Sequence, residues 1–209
     1  IVPAYNEEKN IGSVVRSLLP HVDRVVVVDD GSRDATANEA RFAGALVLRH
    51  ELNRGQGAAL ETGHEYSRSI GADKVLHFDA DGQLSPDDIL PALEAMKVSN
   101  ADIVFGSRFL FSSPSTHRGG RGRGLNEGSA SIPWFKKNIL LPFGRLVSSL
   151  FGSPWLTDVH NGFRILNIKA LNTIRITHDR MAHATEIPAI AKRAGLCYIE
   201  HPVHVVYRE

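Results

Sequence analysis

Short apolar runs rich in Val, Ile and Leu alternate with segments of helical periodicity along the first half of the chain. The apolar runs predict strands at residues 24–30, 45–50, 74–79 and 102–107. The segments between them predict helices near residues 8–19, 35–43, 56–70 and 86–97. This alternation predicts an α/β fold, with a Rossmann-like, mostly parallel sheet and helices on both faces. In such sheets, ligands bind at the carboxyl ends of the strands.

The pattern changes after Arg108. Residues 109–131 are rich in Gly, Ser and Arg, which predicts a mobile loop. Residues 134–152 predict an amphipathic helix interrupted near Pro142. The remainder predicts a strand at 162–167, a helix near 184–194 and a strand or hairpin over 197–208.

Composition is that of an ordinary globular protein. The 209 residues suffice for one α/β domain, and 43% apolar with 22% charged residues argue against disorder. The single Cys197 excludes an intramolecular disulfide framework, which favours a reducing, cytosolic compartment. The sequence contains no run of about 18 apolar residues. Because the chain opens on IVPAYNEE, within a predicted strand, we expect truncation before Ile1 and after Glu209.

Charge is unevenly distributed, although the formal net charge is only +1. Seven Arg and Lys residues and one Glu lie between Arg108 and Val147. A local basic segment on a near-neutral chain predicts an anionic partner, such as a phosphate or a lipid headgroup. One basic loop does not favour nucleic-acid binding.

Two carboxylates, Asp79 and Asp81, stand one residue apart at the end of a predicted strand, in HFDADGQL. In an extended segment they face the same side, where they repel each other unless a cation lies between them. Mg²⁺ and Mn²⁺ prefer oxygen ligands and share the remaining coordination with substrate phosphates. An EF-hand calcium loop is excluded by position, because Gly82 is fourth and Leu90 twelfth. The pair predicts a divalent-cation site, with a solvated acidic turn as the alternative.

Asp30 ends a second strand, in VVVVDDGSRDAT. Ser32 and Asp34 are suited to capping the next helix, which leaves Asp30 to accept a hydrogen bond from a base or a ribose. The phosphate-loop motif is absent, and GQGAAL lacks the last glycine of the dinucleotide-binding motif. Nucleotide binding would therefore depend on acidic residues and a metal.

Five motifs in register resemble those of family 2 glycosyltransferases: VPAYNEEKNI, VVVVDDGSRDAT, LNRGQGAALETG, DADGQ and GSRF. Within that family the chain is similar to dolichyl- and polyprenyl-phosphate sugar synthases. The later stretches TDVHNGFRILN, RMAHATEI and EHPVHVVYR resemble their bacterial branch. The resemblance implies a single GT-A catalytic domain over 1–209, with a nucleotide-sugar-binding half (1–108), a mobile acceptor loop (109–131) and an acceptor half (132–209).

The resemblance also implies roles for individual residues. The nucleoside would be held by Pro3, Tyr5, Glu7, Val28 and Asp30, with Tyr5 stacked on the base. The diphosphate would be bound through Mg²⁺ or Mn²⁺ by Asp79, Ala80, Asp81 and Gln83, with Asp79, Asp81 and Gln83 at the metal. Arg108 and Arg208 would contact phosphate oxygens, and with Asp81 they are the expected catalytic residues.

These features predict a metal-dependent inverting glycosyltransferase that moves a sugar from a GDP- or UDP-sugar to a polyprenyl phosphate. It would work as a peripheral protein at the cytoplasmic face of the membrane. A lipid phosphate is already anionic, whereas a saccharide hydroxyl needs a general base, for which Asp158 and Glu186 are candidates. The alternatives are transfer to a saccharide or lipid-linked glycan hydroxyl, and a nucleotide-sugar-binding module without catalysis.

Several residues have an open interpretation at this point. The loop arginines Arg118, Arg121 and Arg123 could close over an acceptor phosphate, or could simply be solvated. The 134–152 helix could lie on a membrane surface, or pack in the core.

His160 lies in the turn HNGFR. It could reach the metal or a phosphate, or serve only the turn. Asn53, Gly55 and Gly57 match a family motif, and we interpret them as mainly structural.

Overall fold

The computed structural model describes residues 1–110 and 156–206, and the account below refers to these residues. The strands are β1 (Val2–Ala4), β2 (Val26–Asp29), β3 (Leu46–Arg49), β4 (Lys74–His77), β5 (Ile103–Ser107), β6 (Arg164–Asn167) and β7 (Tyr198–Pro202). The α-helices are α1 (Ile11–Leu18), α2 (Thr36–Phe42), α3 (Gln56–Ser69), α4 (Ile89–Ser99), α5 (Ile168–Thr173) and α6 (His183–Arg193). A 3₁₀ turn, Pro86–Asp88, leads into α4, and the Ser85 side chain accepts from the Asp87 amide there.

The strands form two parts of an α/β sheet. In one part β1, β2 and β3 are all parallel, and the other part has the order β4-β6-β5-β7. Ile1 joins the parts, because its nitrogen donates to the Leu76 carbonyl at 2.7 Å and its carbonyl accepts from the Phe78 amide at 3.1 Å. The acidic ends of β2 and β4 are therefore brought to the same edge of the sheet.

Apolar spacing explains why helices cover both faces. In β2, Val27 packs with the apolar face of α1, whereas Val26 and Val28 pack on the opposite side against Ala59 of α3. Side chains alternate between faces along a strand, so a run of four valines supplies both cores. Helices α1, α2 and α4 contribute to one core, and α3, α5 and α6 contribute to the other. The predicted α/β class with helices on both faces is confirmed.

The structure goes beyond the sequence-based prediction in three elements. Strand β6, whose direction the sequence did not predict, is antiparallel to both β4 and β5, and the other described strand pairs are parallel, as expected of a mostly parallel sheet. Helix α5 was not predicted, and the Asn167 side chain caps it by accepting from the Ala170 amide at 2.9 Å. Strand β7 pairs in parallel with β5 and does not form the hairpin that was one of the two predictions.

Part of the prediction lies outside the described residues. This applies to most of the 109–131 loop, to the 134–152 helix and to Arg118, Arg121, Arg123 and Arg208. Among the helices that are described, none combines the length and the apolar character needed to cross a bilayer.

Candidate active site

A pocket of about 470 Å³ opens at the carboxyl ends of β1, β2 and β4. Of the residues proposed from the sequence, its wall contains Pro3, Tyr5, Glu7, Asp30, Asp79, Ala80, Asp81 and His160. It also contains residues for which no binding role was predicted: Asn53, Gln56, Gly162, Arg164, Arg180, Met181 and His183. Residues separated by more than 150 positions thus meet at the sheet edge where α/β folds bind ligands.

The loop after β1 is fixed to the loop after β2. The backbone amide of Asn6 donates to Ser32 Oγ at 2.9 Å, and the side-chain oxygen of Asn6 accepts from the backbone amide of Arg33 at 2.9 Å. The Glu7 amide donates to Thr36 Oγ1 at 2.7 Å. These bonds fix the loop that carries Tyr5, an exposed residue that lines the pocket.

Asp30 is buried and organises the wall around it. Its Oδ1 accepts from the Arg54 amide at 3.0 Å and contacts His50 Nδ1 at 2.7 Å. Its Oδ2 accepts from the Gly55 amide at 2.6 Å. The sequence left Asp30 free for a ligand, whereas in the structure only Oδ2 retains capacity for a further donor.

The glycines of LNRGQGAALETG allow a close approach between α3 and the segment 178–181. Gly55 has φ of 103°, and a Cβ there would lie 2.7 Å from the Asp179 carbonyl oxygen. A Cβ on Gly57 would collide with the carbonyl oxygen of His178. The Ala58 amide donates to the Asp179 carbonyl at 3.0 Å. These contacts give the physical reason for a structural role of Gly55 and Gly57.

Asp79 and Asp81 share the pocket wall. Burial and the charge of Asp81 raise the pKa of Asp79 to about 6, although Arg164 and a hydrogen bond from Gln56 act in the opposite direction. Gln56 Nε2 donates to Asp79 Oδ1 at 3.1 Å. A divalent cation would stabilise a buried carboxylate that stands beside a second negative charge, so the donor set fits the predicted site.

Carboxylates and imidazoles alone do not complete a metal site. No group of three or more His, Cys, Asp or Glu side chains in residues 1–110 and 156–206 is arranged to hold a metal ion. The backbone amide of Gln83 donates to Asp81 Oδ1 at 2.9 Å, but Gln83 is not among the described residues that line the pocket. A cation bound here would therefore depend on substrate oxygens for most of its coordination.

Arg164 supplies a buried positive charge that acts on Asp79. The residue is 2% exposed at the start of β6 and donates from Nη2 to the Val159 carbonyl at 3.1 Å. Burial lowers its pKa to about 10, while the charges of Asp79 and Asp158 act to raise it. Gly162, two residues earlier, lies directly on the Asp79 carboxylate, where a Cβ would collide with it. The motif HNGFR thus contributes to the site mainly through Gly162 and Arg164.

Arg108 and Asp158 bind each other outside the pocket wall. Arg108 donates from Nε to Asp158 Oδ2 at 2.8 Å and from Nη2 to Oδ1 at 2.9 Å. Burial acts to raise the pKa of Asp158, but hydrogen bonds from Arg108 and its charge hold that pKa below its usual range. The structure therefore gives no support to Asp158 as a general base.

Glu186 is also occupied by structural contacts. Its carboxylate accepts from the Thr177 amide at 3.0 Å and from the His178 amide at 3.1 Å. Burial acts to raise the pKa of Glu186, but the bonds from Thr177 and His178 outweigh it and lower that pKa. Glu186 is not among the pocket-lining residues, and its contacts fix the segment before α6.

Two other predicted residues divide between core and pocket. Val28 is buried in the core and is not in the pocket wall, whereas the exposed His160 is part of the wall. Arg180 and His183 lie in the stretch RMAHATEI, whose resemblance to the family was the available signal, but their place in the pocket depends on the docking of 178–181 on α3. Gln56 could have been recognised as part of the glycine motif.

The family model named Glycosyl transferase family 2 matches residues 1–174. The chain belongs to this family. As a family 2 glycosyltransferase it is 31% identical to a UDP-N-acetylglucosamine–dolichyl-phosphate N-acetylglucosaminyltransferase of Methanococcus voltae, over 100% of this chain and 85% of that protein. It is 27% identical to the undecaprenyl-phosphate mannosyltransferase of Micrococcus luteus, over 100% of this chain and 83% of that protein.

The fold of this glycosyltransferase also matches solved structures. Glucosyl-3-phosphoglycerate synthase from Mycobacterium tuberculosis, in complex with Mg²⁺ and uridine diphosphate, superposes with a TM-score of 0.66 and 21% identity. The match covers 100% of this chain and 70% of that one. The GT-A fold expected from the resemblance is confirmed.

Proposed function

We propose that this glycosyltransferase moves a sugar from a nucleotide-diphospho-sugar to a polyprenyl phosphate, with inversion at the anomeric carbon. The observation that carries the proposal is the convergence of Asp79 and Asp81 with Tyr5 and Asp30 in one pocket at the carboxyl edge of the sheet. Similarity, over the whole of this chain, to transferases named for dolichyl and undecaprenyl phosphate supports the acceptor class.

Donor binding is assigned to the β1 and β2 side of the pocket. Tyr5 stacks on the base, and Asp30 Oδ2 accepts a hydrogen bond from the base or the ribose. Pro3 and Glu7 complete this side of the wall.

The diphosphate is assigned to the β4 side, where Asp79, Ala80 and Asp81 line the wall. Asp79 and Asp81 would hold Mg²⁺ or Mn²⁺, which supplies positive charge to stabilise the nucleoside diphosphate as it leaves. Gln56 and Gly162 orient the Asp79 carboxylate, one by a hydrogen bond and the other by close contact. The positive charge of Arg164 offsets the negative charge of Asp79.

The proposed lipid-phosphate acceptor agrees with the contacts and pKa shifts of the two residues considered as general bases. Asp158 and Glu186 both have lowered pKa values and carboxylates occupied by protein donors. A lipid monophosphate brings its own anionic oxygen and needs no such base. Transfer to a saccharide hydroxyl remains the alternative, and it would require another proton acceptor in the pocket.

The acceptor also bears on location. We propose peripheral association with the cytoplasmic face of the membrane, where a polyprenyl phosphate presents its headgroup. Arg118, Arg121, Arg123 and Arg208 remain candidates for phosphate contact, on the sequence alone.

A transfer assay tests the proposal. The protein is incubated with Mn²⁺ or Mg²⁺, a panel of UDP- and GDP-sugars, and undecaprenyl phosphate, dolichyl phosphate, 3-phosphoglycerate or a saccharide as acceptor. Product with a polyprenyl phosphate is the expected result. Product only with a saccharide or with 3-phosphoglycerate would refute the lipid assignment.

A further inference from the structure

His183 is a buried side chain in the pocket wall whose hydrogen bonding is partly fixed. The residue is 2% exposed and begins α6, and its Nδ1 lies 2.8 Å from the Arg180 carbonyl oxygen. A carbonyl oxygen can only accept, so Nδ1 carries a proton. In the neutral ring, Nε2 is therefore a hydrogen-bond acceptor.

The surroundings favour the neutral ring. Burial lowers the pKa of His183, and the charges of Arg164 and His160 lower it further, whereas the Arg180 carbonyl and Glu186 act to raise it. Within residues 1–110 and 156–206, Nε2 has no hydrogen-bond partner. The pocket thus contains an acceptor that a ligand can satisfy.

The position of this ring is built into the fold. The segment that precedes α6 is held on α3 through Gly57 and the Ala58 amide, and Glu186 binds the amides of Thr177 and His178. A side chain held in this way has little rotamer freedom left to lose when a ligand binds.

The chemistry of Nε2 selects among the groups of the donor substrate. Phosphate oxygens are acceptors and cannot donate to a lone pair. A metal is also disfavoured, because the described residues contain no group of three or more His, Cys, Asp or Glu placed to hold one. The nucleoside is assigned to the side of Tyr5 and Asp30, which leaves the hydroxyl groups of the transferred sugar.

We infer that His183 Nε2 accepts a hydrogen bond from a hydroxyl of the transferred sugar, which makes His183 a specificity-determining residue for the donor. The inference rests on the proposed function, since it requires a nucleotide sugar in the pocket. It assigns sugar recognition to α6, on a wall formed separately from the acidic pair that follows β4.

Two amide variants of His183 distinguish the role of Nδ1 from the role of Nε2. In His183→Asn, the amide NH₂ replaces Nδ1 as the donor to the Arg180 carbonyl, and nothing replaces Nε2. In His183→Gln, the amide oxygen takes the place of Nε2, and the bond to the Arg180 carbonyl is lost. Calorimetry with Mn²⁺ then compares UDP, GDP and their sugar conjugates, and donors lacking single hydroxyls identify the partner.

The expected result is that His183→Asn binds the preferred nucleotide sugar about threefold to tenfold more weakly, the effect of one neutral hydrogen bond. Its affinity for the nucleoside diphosphate alone stays within about twofold, which shows that the fold and the nucleoside contacts are intact. His183→Gln retains most of the affinity for the sugar. One deoxy donor binds the unmodified protein as weakly as the parent donor binds His183→Asn.

Equal nucleotide-sugar affinity in the unmodified protein and His183→Asn would overturn the inference. So would a deoxy-donor series in which the unmodified protein binds every donor as tightly as the parent sugar. A large loss of kcat with unchanged donor affinity would also overturn it and would assign proton transfer to His183. If the unmodified protein binds nucleoside diphosphates but no nucleotide sugar, the proposed function fails first, and this inference fails with it. Should either variant not fold, the deoxy-donor series on the unmodified protein decides the question.

Discussion

Arg108 and Asp158 form a two-point ion pair that joins the end of β5 to the segment leading into β6. The guanidinium donates from Nε at 2.8 Å and from Nη2 at 2.9 Å, one bond to each carboxylate oxygen. The Arg108 backbone amide and Asn161 Nδ2 are two further donors to Oδ2, each at 3.2 Å. All of these donors compete with a substrate proton for the Asp158 carboxylate.

This relationship predicts how Asp158 variants behave. Asp158→Ala should lower the free energy of unfolding by about 2 kcal/mol, because it leaves Arg108 without its two-point partner, and the one-third exposure of Arg108 moderates the cost. Asp158→Asn keeps an oxygen acceptor and should lose less than about tenfold in kcat, whereas loss of a general base costs about 10²–10⁴. Chemical denaturation and steady-state kinetics measure the two effects, and a thousandfold loss in Asp158→Asn would restore the base hypothesis.

Gly57→Ala should destabilise the protein even though the position is helical. Alanine usually stabilises a helix interior by about 1 kcal/mol relative to glycine. Here the new Cβ collides with the His178 carbonyl oxygen, so we expect a net loss of about 1–3 kcal/mol and weaker nucleotide-sugar binding. Gly71→Asn is the control, because nothing lies within 4 Å of a Cβ there and asparagine tolerates its φ of 67°. Thermal unfolding compares the Tm of the two variants. Equal Tm values for Gly57→Ala and the control would contradict the predicted collision.

Asp81→Ala should remove metal-dependent nucleotide binding. We expect Mn²⁺-dependent affinity for a nucleoside diphosphate to fall about 100-fold, since one of two carboxylates at the proposed cation site is lost. EDTA should reproduce the loss in the unmodified protein. Gln83→Ala tests the third predicted ligand. Because Gln83 is outside the pocket wall, its loss should be smaller, and an effect equal to that of Asp81→Ala would establish a ligand role for Gln83.

Acid should destabilise the fold through Asp102. Its carboxylate accepts from Lys169 Nζ at 2.8 Å, from Asn167 Nδ2 at 3.0 Å and from the Cys197 amide at 2.9 Å. Burial acts to raise the pKa of Asp102, but these bonds outweigh it and lower that pKa below 3.8. The stabilisation is therefore complete above the unfolded pKa and is lost as pH falls through the folded pKa.

Asp102→Asn provides the measurement for this pH effect. At pH 7 the variant should have a lower Tm than the unmodified protein by about 3 °C, and the difference should shrink towards pH 3. A Tm difference that is independent of pH would show that the charge of Asp102 contributes nothing to stability.

Much of the candidate site could be predicted from the sequence because its chemistry is local. Asp79 and Asp81 are two residues apart, and Asp30 directly follows a strand, so their shared sheet edge follows from strand periodicity and α/β topology. Glycines at 55 and 57 could be recognised as structural, although the contact that requires them involves a segment more than 120 residues away.

The remainder depends on long-range packing, which apolar periodicity does not report. The sequence by itself determined the alternation of buried strands and amphipathic helices, and with it the acidic edge of the sheet. Only the tertiary structure decided that β6 inserts antiparallel between β4 and β5, which brings Arg164 into the pocket wall with Asp79. It also decided that Asp158 and Glu186 are occupied by protein donors, and that docking of 178–181 on α3 brings His183 into the pocket. The periodicity of apolar residues along the chain indicates which side chains are buried. The partners of each side chain depend on which distant segments fold against it.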